Sequence, residues 1–175
     1  YKKLTKISKI SIDGHQHIHL VPIVLDLILE ASSEHEINWI RTTLEPIPSG
    51  LCIKDLKLIF SEHRWLKWLI LQTLSYIGIG KIIKLNISTN QSFSGVIFTG
   101  RMVDNRILKA LGKLEKIPYM EPRTKSIILI HPSEVPSLDQ IRSELRDFEL
   151  SRDFVTSIWR QKESQAIKIA RNKVN

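Results

Sequence analysis

The chain has 175 residues, of which 42% are hydrophobic and 25% are charged, which excludes a disordered protein and fits one globular domain with a real core. The net charge of +8 is spread along the chain without a dense basic block, so we do not predict a nucleic-acid partner. The single cysteine, Cys52, excludes an intramolecular disulfide and a cysteine-based zinc site, and it favours a reducing, cytoplasmic setting.

A histidine-rich segment, Asp-Gly-His-Gln-His-Ile-His, follows the first predicted strand, which covers residues 8–13. Alternate side chains of an extended strand share a face, so Asp13, His15, His17 and His19 are predicted to point the same way. Neutral imidazole is the commonest protein metal ligand, and carboxylates complete many such sites. The pattern predicts one wall of a metal or catalytic site, although one histidine can serve to orient a ligand instead.

The next elements alternate between helix and strand. Residues 23–35 are predicted to be a helix, residues 37–42 a short strand and residues 45–50 a loop. A long helix is predicted over residues 54–77, closed by Gly78 and Gly80, and residues 81–99 are predicted to be a loop with a short strand. The apolar stretches are interrupted by charged residues before they reach a membrane-spanning length, so we predict no membrane partner.

Some residues in this part of the chain favour a structural interpretation. His35 and His63 lie in polar helical contexts and are predicted to be solvated. Trp65 and Trp68 are spaced as one helix face, which favours a core or interface position over a sugar platform. Cys52 has no neighbouring His or Lys to activate it and is predicted to be inert.

The last third of the chain contains a second candidate site residue. Asp104 is a suitable N-cap for a helix that ends near residue 114, and residues 151–172 are predicted to form a polar terminal helix. Between them, Ser126–His131 is a continuous apolar run that ends in histidine, which is typical of a strand buried on both faces. His131 therefore stands at the mouth of a predicted strand and is a candidate acid or base.

The order of these elements predicts an α/β fold with a mainly parallel sheet. In parallel α/β sheets and barrels, sites form at the carboxyl ends of the strands. The histidine-rich segment and His131 each follow a predicted strand. We therefore expect the two regions to share a cavity.

Four segments in chain order resemble the YdjC-like carbohydrate deacetylases, a family that includes chito-oligosaccharide and hopanoid-associated deacetylases. The matching segments are Asp13–Pro22, Arg41–Pro46, Phe93–Gly100 and Ile128–Pro132. A later Arg-x-x-Glu, Arg160 to Glu163, resembles the tail of the family. The resemblance covers nearly the whole chain, and we take residues 1–175 as one domain, the C-terminal portion of a YdjC-like domain.

The resemblance implies a distorted (β/α) barrel, here a partial one, and metal-dependent removal of N-acetyl groups from amino sugars or oligosaccharides. The implied cofactor is a divalent metal, Mg²⁺ or Zn²⁺, with His15 as the matching ligand and His131 as the general acid. The remaining positions are expected to bind substrate or to support the ligands, and they are Asp13, His17, His19, Arg41 and Glu45.

The sequence also departs from the family pattern. It has no Asp-Asp pair and no Gly-x-His upstream of residue 13, so two of three expected metal ligands and the expected catalytic base are missing. Ser126 and Ser133 replace the usual Glu and the usual Gly or Ala. We therefore expect that an N-terminal metal-binding segment is missing and that this chain is an incomplete or inactive form.

Three further expectations remain open at this stage. An open partial barrel exposes a sheet edge, which favours marginal stability or a homo-oligomer. A non-catalytic α/β module that binds carbohydrate or another partner is the main alternative function. An amidohydrolase-type metal hydrolase is less favoured, because only His131 is available as a further histidine on a later strand.

Overall fold

The fold comes from a computed structural model, which describes residues 9–48, 50–103, 105–114, 126–132 and 157–174. Four short strands, five α-helices and one 3₁₀ helix are found in these ranges. The strands are β1 (Ile10–Ile12), β2 (Ile37–Ile40), β3 (Ser92–Ser94) and β4 (Ser126–Ile128). The 3₁₀ helix is His15–Leu20, and the α-helices are α1 (Pro22–Ala31), α2 (Ile53–Ser61), α3 (Arg64–Lys84), α4 (Arg106–Leu114) and α5 (Ile158–Val174).

The first two strands form a parallel pair, with Ile10 opposite Ile37 and Ile12 opposite Ile40. Helix α1 connects them, as a parallel pair requires a crossover. A second two-stranded sheet joins β3 and β4. The predicted α/β class and parallel pairing are confirmed, and no closed barrel is seen in the ranges that the structure describes.

The apolar core of this region lies between β1, β2 and the helices. It is formed by fully or nearly fully buried side chains of α1, β2, the end of α3 and the segment after it, namely Leu25, Leu29, Ile40, Ile82 and Ile87. Pro22 begins α1 at a position where its missing N–H costs no hydrogen bond. The buried residues of α1, Leu25 and Leu29, are four apart and share one helix face, whereas Ile23 and Leu27 are exposed.

The predicted long helix is wrong in its limits. It is two helices, α2 and α3, and His63 between them has a left-handed φ of 52°. Gly78 and Gly80 lie inside α3 instead of closing it. Gly78 has a packing reason, because a Cβ at this position would lie 2.8 Å from a methyl carbon of Leu25.

Helix α3 is also long and apolar enough, by length and composition alone, to cross a membrane. Lys67 and Lys81 interrupt its apolar stretch, as the sequence predicts, and the absence of a membrane partner stays a prediction. The mostly buried core helices of soluble proteins can be equally long and apolar. In α3, only 22% of the 18-residue apolar segment is buried.

The chain divides into two compact units. The first contains residues 1–97 and 118–127, and the second contains residues 98–117 and 128–175. The single family domain over residues 1–175 stays a prediction. The predicted strand Ser126–His131 ends at Ile128 and is half-buried instead of buried on both faces. Asp104, Ser133 and residues 151–156 lie outside the described residues.

Candidate functional site

The histidine-rich segment is not an extended strand. Strand β1 ends at Ile12, and His15–Leu20 forms a 3₁₀ helix in which Gln16 and His17 have left-handed φ angles of 49° and 63°. The prediction that Asp13 and the three histidines share one strand face is therefore wrong. The turn separates the histidines by exposure, since His15 is exposed whereas His17 and His19 are buried.

His19 is held by the main chain through both ring nitrogens. Its Nε2 lies 2.8 Å from the carbonyl oxygen of Arg41, and its Nδ1 accepts the N–H of Gly14 at 3.0 Å. An N–H donor at Nδ1 and a carbonyl at Nε2 require the neutral tautomer that is protonated on Nε2. Burial lowers the pKa of His19, which keeps this neutral form. His19 therefore connects the turn to the residue that follows β2. Because both ring nitrogens are engaged, neither is available to bind a metal.

Arg41 forms the centre of the buried part of this site. Its Nη2 lies 2.7 Å from Oδ1 of Asp13 and donates to Nδ1 of His17 at 3.1 Å and to the carbonyl of Gly14 at 3.2 Å. The guanidinium also lies over the ring of Phe93, 5.6 Å from its centroid. Burial lowers the pKa of Arg41 and the charge of Asp13 opposes this, so the group stays a cation. One guanidinium thus binds Asp13 and His17 together.

His15 differs from its neighbours because its ring is exposed and makes no hydrogen bond or ion pair to the residues that the structure describes. Its nitrogens are available to a metal or a substrate. A metal centre needs three or more protein donors. Within the described ranges, no group of three His, Cys, Asp or Glu side chains could hold a metal ion. The described residues therefore do not form a complete metal centre.

Glu45 is buried, and its carboxylate binds main-chain groups. One oxygen accepts the N–H of Gly95 at 2.5 Å and the other accepts the N–H of Ile97 at 3.0 Å. The indole of Trp68 donates to the carbonyl of Glu45 at 3.1 Å, in agreement with the structural role that the sequence predicts for this tryptophan. Glu45 therefore joins the segment after β2 to the loop after β3.

A buried hydroxyl network supports the same segment, and the sequence analysis did not identify it. The N–H of Thr42 donates to Oδ1 of Asn90 at 2.7 Å, and the hydroxyls of Thr43 and Ser75 lie 2.8 Å apart. In the sequence, the feature that could have indicated this network is the pair of adjacent threonines after β2, Thr42 and Thr43. The network holds the chain that follows Arg41.

The second unit holds His131 through its main chain. Glu163 is fully buried, and its two carboxylate oxygens accept the N–H of His131 at 2.6 Å and the N–H of Met102 at 2.7 Å. Arg160 lies one turn before Glu163 on α5 and donates from Nε to the carbonyl of His131 at 3.1 Å. The Arg-x-x-Glu pattern of the tail thus positions the candidate general acid.

The predicted site residues fall into three groups. Asp13, His17, His19 and Arg41 form one network in the first unit, and His15 projects from the same turn. Glu45 belongs to a separate set of main-chain contacts in that unit. His131 belongs to the second unit, where Glu163 and Arg160 hold it.

Comparison with known protein families finds one match, to the family described as YdjC-like protein, over residues 11–171. Searches of curated proteins and of solved structures give no significant match. The matched range contains the histidine-rich segment, Arg41, His131 and Glu163, and it covers most of the chain. The chain therefore belongs to the YdjC-like family, which is carbohydrate-deacetylase-like.

Proposed function

We propose that this chain takes part in the hydrolytic removal of N-acetyl groups from amino sugars or oligosaccharides. Family membership over residues 11–171 is the observation that carries the proposal. The parallel β1–α1–β2 unit is consistent with a partial, distorted (β/α) barrel in which the histidine-rich segment follows a strand. The arrangement of the site residues then suggests a distinct role for each.

His15 is the residue that we assign to the metal. Its ring is exposed, whereas Arg41 binds Nδ1 of His17 and the main chain binds both nitrogens of His19. A bound Zn²⁺ or Mg²⁺ supplies an activated water and stabilises the oxyanion of amide hydrolysis. Because the described residues do not complete such a centre, the other ligands must lie outside the described ranges.

His131 is the residue that we assign to general acid catalysis. In amide hydrolysis, a water oxygen bonds to the acetyl carbon, the carbon–nitrogen bond breaks, and the leaving amine needs a proton. A protonated imidazole can donate that proton. Glu163 and Arg160 act through His131 by holding its N–H and its carbonyl, so they are positioning residues.

Arg41 and Asp13 are the residues that we assign to support of the site. Arg41 binds Asp13 and His17 through one nitrogen, so loss of its side chain removes a contact from both partners and a buried cation from the histidine-rich turn. Glu45 holds the loop at Gly95 and Ile97. These contacts favour a supporting role for Arg41 and Glu45 over direct contact with the sugar.

A second candidate function is a non-catalytic module that binds carbohydrate. The observation that favours it is the lack, within the described ranges, of any group of three metal-binding side chains. Such a module would bind the sugar without hydrolysing the amide.

The experiment is an acetate-release assay on N-acetylglucosamine oligomers with added Mg²⁺ or Zn²⁺. Metal-dependent release that falls roughly a hundredfold or more in His131→Gln and His15→Ala would support the proposal, and it would overturn the expectation that this chain is an inactive form. His35→Ala is the control, since His35 is an exposed histidine outside the site. Release that both site variants retain would contradict the proposal, whereas calorimetric binding of the oligomers without any release would support the non-catalytic module.

A further inference from the structure

Helix α3 exposes an apolar face. Its buried side, Leu71, Ser75, Gly78 and Ile82, lies where the helix contacts the 3₁₀ helix, α1 and α2. The opposite side carries apolar residues that recur every three or four positions, between 43% and 77% exposed, namely Leu66, Leu69, Ile70, Tyr76 and Ile77. We call these five residues the outer face.

The outer face is not what a helix on the surface of a soluble domain normally presents. Such helices carry polar residues on the side away from the core. Here only Thr73 and Gly80 interrupt the apolar residues, and a Cβ on Gly80 would meet no atom within 4 Å. Contiguous exposed apolar surface marks a site of contact with another protein or with a membrane.

The charges around the outer face distinguish between these partners. Three acidic groups near the outer face are already engaged: Glu62 pairs with Arg64, Asp26 pairs with Lys81, and Asp55 accepts the N–H of Cys52 at the start of α2. Glu30 of α1 is exposed and makes no ion pair to the described residues. Four exposed lysines of α2 and α3 make no ion pair to the described residues, namely Lys54, Lys57, Lys67 and Lys84. The exposed surface of α2 and α3 therefore carries an excess of positive charge.

A second copy of the chain fits this face poorly, because it would bring the same four lysines and, from these helices, a single acid without an ion pair, Glu30. An anionic lipid surface supplies the opposite charge together with an apolar layer. Trp65 and Tyr76, both exposed on α3, are side chains that favour the membrane–water interface.

We propose that the outer face of α3 docks on an anionic phospholipid bilayer, with α3 lying in the plane of the interface. The helix does not span the bilayer in this arrangement, because its buried side remains packed against α1 and α2. Binding through this face uses neither His15 nor His131, so its outcome is independent of the deacetylase proposal.

The test is sedimentation of the full chain with vesicles. We expect binding to equal parts phosphatidylcholine and phosphatidylglycerol, little binding to phosphatidylcholine alone, and weaker binding at high salt. The double variant Ile70→Gln, Ile77→Gln should bind roughly tenfold more weakly. Its matched control is Ile158→Gln, Ile169→Gln, since these isoleucines of α5 are similarly exposed, at 58% and 55%.

A second measurement uses the chain without changes to the outer face. Lipids brominated near the headgroup should quench tryptophan fluorescence, and Trp65→Phe should lose much of that quenching. Failure of the wild-type chain to bind anionic vesicles would overturn the proposal, as would equal binding by both double variants. A dimer in analytical ultracentrifugation that Ile70→Gln, Ile77→Gln abolishes, without vesicle binding, would assign the outer face to a second copy instead.

Discussion

Replacement of Glu45 by Gln tests whether this carboxylate holds the fold or faces a substrate. The side chain is 3% exposed, and its oxygens accept two main-chain N–H groups, from Gly95 and Ile97. Glutamine has one acceptor oxygen, and its amide nitrogen would face an N–H donor. Loss of a charged hydrogen bond and one unsatisfied buried donor together cost about 2–4 kcal/mol.

The assay is urea denaturation followed by circular dichroism, with amide hydrogen exchange at the two N–H groups. We expect Glu45→Gln to lower the unfolding free energy by this amount and to speed exchange at Gly95 and Ile97. Glu62→Gln is the control, because Glu62 is an exposed glutamate whose ion pair with Arg64 contributes at most about 1 kcal/mol. Equal destabilisation by the two variants, with unchanged exchange at Gly95 and Ile97, would refute the structural role.

Three further predictions concern the two histidine regions. Burial lowers the folded pKa of His19 below its ordinary value of 6.5, so the unfolded state binds more protons. Stability therefore falls as the pH drops below about 6.5, by at most about 1.4 kcal/mol per pH unit. His19→Gln should remove this contribution from a pH series of unfolding curves, and an unchanged slope would contradict the prediction. Arg41→Gln should lower the unfolding free energy measured by urea denaturation by about 2 kcal/mol. Asp13→Asn should lower it by less than about 1 kcal/mol, because Asp13 is half-exposed. The reverse order would contradict the conclusion that Arg41 is the residue that holds this network together. Glu163→Gln should speed amide exchange at His131, and unchanged exchange there would remove Glu163 as its positioning residue.

The parts of the fold that local pattern controls could be predicted from the sequence. Alternation located β1, Pro22 located the start of α1, and the parallel order followed from strands separated by helices. The break between α2 and α3 could not be predicted, because it depends on a left-handed residue, His63, that no glycine or proline announces. The sequence alone predicts a helix end at Gly78, because the close packing of Gly78 on Leu25 is a contact between residues far apart in the chain.

In the candidate site, too, local sequence pattern predicts some features, whereas long-range contacts determine others. The residue types and their order identified the family, which the comparison over residues 11–171 confirms. The conformation of the histidine-rich segment did not follow from its alternation, because His19 binds the carbonyl of Arg41, 22 residues away, and this contact stabilises a turn. Likewise, the motifs could not show that Glu45 and Glu163 bind main-chain N–H groups that lie 50 and 32 residues away.

The central claim is that the histidine-rich turn leaves one imidazole, that of His15, available while His19 is locked. Long-range ¹H–¹⁵N NMR of the histidine rings during a Zn²⁺ titration tests it most directly. The account predicts that the His15 nitrogens shift with zinc, whereas His19 keeps a proton on Nε2 and an unprotonated Nδ1 throughout. Zinc-dependent shifts at His19 with none at His15 would contradict it.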